Sequence, residues 1–205
     1  MVYNELASQE ALDRTVAGLR ERNVEAIVVE NKSEALEKIK KIIPAGAGVM
    51  MGASVTLEEI GLVDYLKEGK HPWQNLRGKI LEEKDPAKQA QMRREATLAD
   101  YYLGSVHGLS EEGEFVIASN TGSQLPGIVF NSPNLIFVVG AQKIVPTLEE
   151  ARKRLKEYVV PLEDKHMHDL YNIGTHLSKE VIFHYENPIG NRHVRLIIVK
   201  EKLGF

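Results

Sequence analysis

The stretch AIVVENKSEALEKIKKIIPAGAGVMMGASVTLEEIGLVDYL, residues 26–66, decides the fold. Ala26-Ile27-Val28-Val29 is a short apolar, β-branched run of the kind that forms a buried strand. Ser33 suits the cap of a helix that carries Leu36, Ile39, Ile42 and Ile43 on one side. Pro44 and Gly46 end that helix. Val49-Met50-Met51 is a second short strand; Gly52-Ala53-Ser54 turns the chain into another helix, from Thr56 to about Leu66. Strand, helix, strand, helix is the opening of a mainly parallel, doubly wound α/β sheet flanked by helices.

Working outward, Leu6, Ala7, Ala11, Leu12, Val16 and Leu19 recur at helical spacing and predict a helix over residues 4–22. Residues 68–85 are broken by Gly69, Pro72 and Gly78, and read as a surface excursion around Trp73. Asp85-Pro86 is a cap followed by Pro at the first helical position, starting a helix that runs to about Leu98. Tyr101-Tyr102-Leu103 predicts a strand. Residues 106–109 and 115–118 predict a hairpin turning at Glu112-Gly113. Leu135-Ile136-Phe137-Val138-Val139 predicts a buried strand, and residues 147 to about 158 a helix. Two alternating runs, 181–186 and 193–200, flank Pro188-Ile189-Gly190-Asn191 and predict a C-terminal antiparallel hairpin. Its turn places Val181, Phe183, Tyr185, Val194, Leu196 and Ile198 on one face, and His184, Glu186, His193 and Arg195 on the other. The expectation is one Rossmann-like α/β domain over residues 1–205.

Composition narrows the function. The net charge of −3 over 205 residues carries no footprint for nucleic acid. The absence of Cys excludes disulfides, thiolate nucleophiles and cysteine-held metal or iron–sulfur clusters within the sequence. Residues 1–10 have no basic segment followed by an apolar one, and no run approaches the roughly 18 apolar residues of a membrane span. The expected location is the cytoplasm, with no membrane and no nucleic-acid partner.

Three loops carry candidate ligand groups, and Gly52, Ser105 and Gly140, each just after a predicted strand, put their loops at one edge of the sheet, where open α/β proteins bind ligands. In the first, Gly52, Ala53 and Ser54 let an anion approach backbone N–H groups; the same residues also suit simple capping, with Ser54 or Thr56 as cap and Glu58 or Glu59 closing a capping box. The second is Ser119-Asn120-Thr121-Gly122-Ser123-Gln124, either a binding loop in which Asn120, Thr121 and Gly122 meet a ligand or an ordinary polar turn. The third is Gly140-Ala141-Gln142-Lys143, where Gln142 orients a ligand and Lys143 complements its charge, or Lys143 is a solvated lysine. Ser105 follows the Tyr101 strand at the same edge, and nearby His107 suits either a general base or a structural role. His166 and His168, two apart, do not share a helix face, and His184, His193 and Glu186 suit a cross-strand pair on a wet face; no metal site is expected. Nucleophile-elbow, phosphate-loop and dinucleotide-binding motifs are absent.

Gly52-Ala53-Ser54-Val55-Thr56-Leu57-Glu58-Glu59-Ile60-Gly61-Leu62 is similar to the Gly-Gly-Ser-Met-Thr-Leu-Glu-Glu-Ile-Gly-like segment of LUD-domain (lactate-utilisation) proteins. Ala99-Asp100-Tyr101 with Glu112-Gly113-Glu114, then Asn120-Thr121-Gly122, then 138–145 (VVGAQKIV), then 198–205 (IVKEKLGF) resemble further segments of that family in the same order. The resemblance implies the fold of the ribose-phosphate isomerase and CoA-transferase superfamily and an association with lactate oxidation. Some relatives carry a cysteine-rich insert before the last strands; residues 161–175 stand there instead, with His166 and His168, and His176 just after.

Three readings follow. In the first, a small anionic metabolite or nucleotide binds at the sheet edge. In the second, the chain is a non-catalytic subunit docking on a redox partner protein. In the third, a glutamate such as Glu112 or Glu114 acts as nucleophile in a CoA-transferase-like reaction. Trp73 and Tyr101-Tyr102 suit either a homodimer surface or the core.

Overall fold

The computed structural model describes residues 3–205. Its elements run α1 (Gln9–Glu21), β1 (Glu25–Val29), α2 (Lys32–Ile42), β2 (Gly48–Met51), α3 (Val55–Glu59), α4 (Leu62–Lys67), β3 (Gln74–Asn75), α5 (Leu76–Glu82), α6 (Pro86–Glu95), β4 (Tyr101–Gly104), β5 (Gly108–Ser110), β6 (Phe115–Ser119), β7 (Asn134–Gly140), β8 (Ile144–Val145), α7 (Leu148–Arg154), α8 (Val160–Tyr171), β9 (Lys179–Phe183) and β10 (His193–Val199). Six strands form a sheet in the order β1-β10-β7-β4-β2-β3, paired in parallel throughout. A second sheet, β8-β5-β6-β9, leans against it.

The central strands are apolar at nearly every position because both faces are covered. In β7, Leu135, Phe137 and Val139 pack towards α1 and the second sheet, while Ile136 and Val138 pack towards α2, α3 and α4. All five are buried, and each such side chain contributes about 1.5–3 kcal/mol.

Local chemistry sets the boundaries. The first helix starts at Gln9, later than residue 4, because the Ser8 side chain accepts the Ala11 N–H. Asn31, rather than Ser33, caps α2 by accepting the Glu34 N–H. The helix expected from Thr56 to Leu66 is two short ones, split at Ile60-Gly61. The 68–85 excursion is partly ordered into the edge strand β3 and helix α5. Trp73 there is buried, its indole donating to the Ile43 carbonyl at 3.2 Å. Tyr102 is buried too and Tyr101 half-buried, so these aromatics pack within the chain. The helix starting after Thr147 passes through a wide π turn at residues 155–159 into α8, reaching Tyr171. That turn accommodates Pro161, which has no N–H for the regular ladder.

The expected C-terminal hairpin does not form. β9 pairs antiparallel with β6 in the second sheet, while β10 inserts in parallel between β1 and β7 in the first. Alternation along each run was compatible with pairing between them, but β10 is apolar on both faces and so suits the covered centre of the large sheet. His184 instead meets Glu114, and Glu186 meets Arg192.

Candidate functional site

β2, β4 and β7 are neighbours, so the loops after Met51, Gly104 and Gly140 converge at their carboxyl ends. They open on a cleft of about 500 Å³, within the range of small-molecule sites. Its roof comes from α5 and α6, its far wall from the β6 loop and the row Leu155, Val159 and Glu163 along α7–α8.

Of the residues singled out above, Gly52, Ala53, Ser54, Ser105, Asn120, Thr121 and Lys143 line this cleft. Ser54 is also the cap of α3, accepting the Leu57 N–H at 3.3 Å. Gly122 is not among the lining residues; it turns the loop with φ +84°. Gln142 points the other way. Its amide nitrogen donates to the Leu203 and Gly204 carbonyls at 2.8 and 3.2 Å, and its oxygen accepts the Leu203 N–H at 3.2 Å. It clamps the C-terminal segment rather than facing a ligand. Gln142→Leu is expected to leave these buried groups unpaired and cost about 2–3 kcal/mol, or roughly 5–10 °C in Tm; an unchanged melting temperature would show that the segment does not depend on the amide.

Lys143 dominates the electrostatics. Its buried Nζ donates to Thr56 Oγ1 at 3.0 Å, Ser105 Oγ at 3.1 Å and the Val106 carbonyl at 3.3 Å. All three are neutral acceptors, and among the described residues no carboxylate lies within ion-pair distance. Burial, with Arg154 nearby, pulls its pKa down to about 7, Glu59 opposing weakly. Arg154 is itself buried on the floor below, donating to the His107 and Tyr3 carbonyls, and burial lowers it to about 10.

His107 lines the same cleft. Its Nδ1 accepts the Ala118 N–H at 3.0 Å, which leaves the ring proton on Nε2. Burial first, then Lys143 and Arg154, push its pKa down to about 3, so it stays neutral. That shift suits a neutral hydrogen-bond donor better than a base that gains a proton near neutral pH.

Several lining residues carried no sequence signal. Arg77 lies in the segment read as a surface excursion and Arg93 on the helix that starts at Asp85-Pro86, yet both line the cleft; Arg77 donates to the Gly52 carbonyl. Tyr102 reaches Gln124 across it, and burial raises the phenol pKa. Glu163 is the one carboxylate among the described lining residues, its pKa raised chiefly by burial. Their placement depends on how α5, α6 and α8 fold over the sheet, which no local pattern reports.

Glu112 and Glu114, considered above as nucleophiles, do not line the cleft. Glu114 pairs with His184 at 2.7 Å, and the Glu112 carbonyl accepts from Arg22. Of the histidines, His176 lines the cleft, His166 packs on the Phe205 ring, and His168 lies 3.9 Å from Asp164. No group of three or more His, Asp or Glu arranged to hold a metal occurs among the described residues, and no described helix is long and apolar enough to cross a membrane.

A family model described as the LUD domain matches residues 12–197. The structure is similar to the crystal structure of a DUF162 family protein from Deinococcus radiodurans, with TM-score 0.60, 14% identity, and coverage of 95% of this chain and 99% of that one. At that identity the likeness bears on fold alone. No curated protein matches the sequence.

Proposed function

Because the chain belongs to the LUD-domain family, which ties it to lactate utilisation at family level, we propose that its cleft binds a small anionic metabolite or nucleotide. The observation that carries this reading is Lys143: a buried lysine that, among the described residues, meets only neutral oxygens. An unpaired buried charge is costly, and an anionic ligand arriving through the cleft would supply the missing counter-charge. Arg77 and Arg93 add two more cations to the lining against the single carboxylate of Glu163. Gly52, Ala53 and Ser54 give close access to the backbone, and Ser105, Asn120 and Thr121 supply hydroxyl and amide groups to orient the ligand.

Thermal unfolding against phosphate, lactate, pyruvate, ribose 5-phosphate, nucleotides and CoA tests this. A ligand at a hundred times its Kd contributes about 2.7 kcal/mol, expected to raise Tm by about 5–10 °C. Silence across the panel would remove the reading. A second reading then takes over, a subunit docking on a redox partner protein. It is favoured by Leu98 and Phe130, 70% and 77% exposed on adjoining helical turns joined by the Asn131–Thr97 hydrogen bond.

A further inference from the structure

A neutral hydrogen-bond donor and a buried lysine share the lining of the cleft. Lys143 Nζ contacts Ser105 and Val106, the residues directly before His107. The His107 ring is anchored through Nδ1, so its Nε2–H is directed elsewhere, and among the described residues it meets no acceptor. A fixed neutral donor with a cation in the same cleft is suited to an oxygen on which charge is about to develop, because it needs no reorganisation when the charge appears. Glu163 lines the same cleft and is the lone carboxylate among the described lining residues. It stands on the same helical row as Leu155 and Val159, at spacings of four that keep the three on one face.

We propose that the cleft catalyses reversible removal of a proton from the carbon next to a carbonyl in a small anionic hydroxy- or oxo-compound, with His107 Nε2–H holding the carbonyl oxygen, the charge of Lys143 favouring the negative charge that develops there, and Glu163 taking the proton. The proposal rests on the anion-binding reading above and narrows it to a substrate class. In the step, the C–H electron pair becomes a carbon–carbon double bond and the carbonyl π pair moves to oxygen. The resulting enolate is stabilised by the His107 hydrogen bond and the Lys143 charge, and Glu163 returns the proton to the same carbon. No oxidant or reductant takes part. The lowered pKa of His107 keeps it a neutral donor at physiological pH, a role known for neutral imidazoles in proton-transfer enzymes. The raised pKa of Glu163, caused by burial and by Glu58 against the opposing effect of His166, moves its carboxylate towards the range where a base works best at neutral pH.

The test is deuterium exchange followed by proton NMR, with the purified protein in heavy water and two probes, pyruvate and glycolaldehyde phosphate. At least one probe is expected to lose its carbon-bound proton signal at a rate about 100-fold or more above the protein-free control, and that gain is expected to vanish in Glu163→Gln and His107→Phe. His107→Phe also strands the Ala118 N–H and can fail to fold. Glu163→Gln, on a half-buried helix face, is therefore the deciding variant; it is expected to keep the wild-type melting temperature and the probe-induced thermal shift while losing exchange. A probe that shifts the wild-type Tm without exchanging overturns this proposal and leaves anion binding standing. Exchange that survives in Glu163→Gln overturns it as well. Absence of a thermal shift with any anion, together with absence of exchange, overturns both readings.

Discussion

Lys143→Met is expected to raise the melting temperature at pH 6, lower it at pH 10, and abolish the thermal response to any ligand of the cleft. The methionine fills a similar volume without a charge. Lys143 is depressed from an ordinary 10.5 to about 7 in the folded protein. Between these two values the unfolded chain binds more protons than the folded one, so wild-type stability rises with pH across that window. Below pH 7 the full burial cost is present, a few kcal/mol at about 1.36 kcal/mol for each tenfold change in proton affinity. Against this, Thr56, Ser105 and Val106 each lose a donor, at about 1 kcal/mol apiece after the hydroxyls reorient. The balance favours methionine by about 1–2 kcal/mol at pH 6, a rise of about 2–8 °C, and reverses once the amine is neutral. Calorimetry of both proteins at the two pH values measures this. A difference in Tm that does not depend on pH would mean that Lys143 keeps an ordinary pKa and is not the desolvated cation on which the ligand reading depends.

Gly113→Ala is expected to give the largest loss of stability, about 3–5 kcal/mol, lowering Tm by about 10 °C or more. Gly113 turns the β5–β6 hairpin at φ +91°, and a methyl group there would sit 2.3 Å from the Gly18 carbonyl carbon. Seen from α1, a methyl on Gly18 would meet the Glu112 carbonyl oxygen at the same 2.3 Å. Backbone faces backbone, so no side-chain rotation relieves the clash. Arg22 adds a hydrogen bond from Nε to the Glu112 carbonyl at 2.7 Å, while the exposed Arg14–Glu111 ion pair alongside contributes little. Differential scanning calorimetry decides the matter: a fall of less than about 2 °C would show that α1 is not locked against this turn.

The elements of the large sheet were legible wherever one pattern had one solution. The apolar run at 135–139, the Ser54 cap after Met51, the Asp85-Pro86 start and the Gly113 turn each report a local backbone requirement, and each stands where the sequence placed it. The last two strands were misread because alternation does not name a partner: runs 181–186 and 193–200 satisfied a hairpin locally, yet the large sheet offered β10 two buried neighbours instead of one. The candidate site divides in the same way. Gly52, Ser54, Ser105 and Lys143 could be placed together from the rule that parallel strands end at one edge. Gln142, adjacent to Lys143, could not be told from a ligand contact, since its direction is set by residues 203 and 204, sixty positions away. Arg77, Arg93 and Glu163 come from helices whose faces show nothing until they close over the sheet. Sequence by itself determined the parallel α/β class and the loops at the strand ends, because these follow from periodicity, turn chemistry and chain direction, and the family through the likeness of its segments. Tertiary structure alone decided which strands pair at the C-terminal end, that Lys143 is buried with no carboxylate partner among the described residues, and that His107 accepts at Nδ1 and so keeps its proton on Nε2, because burial and hydrogen-bond partners belong to groups far apart in the chain.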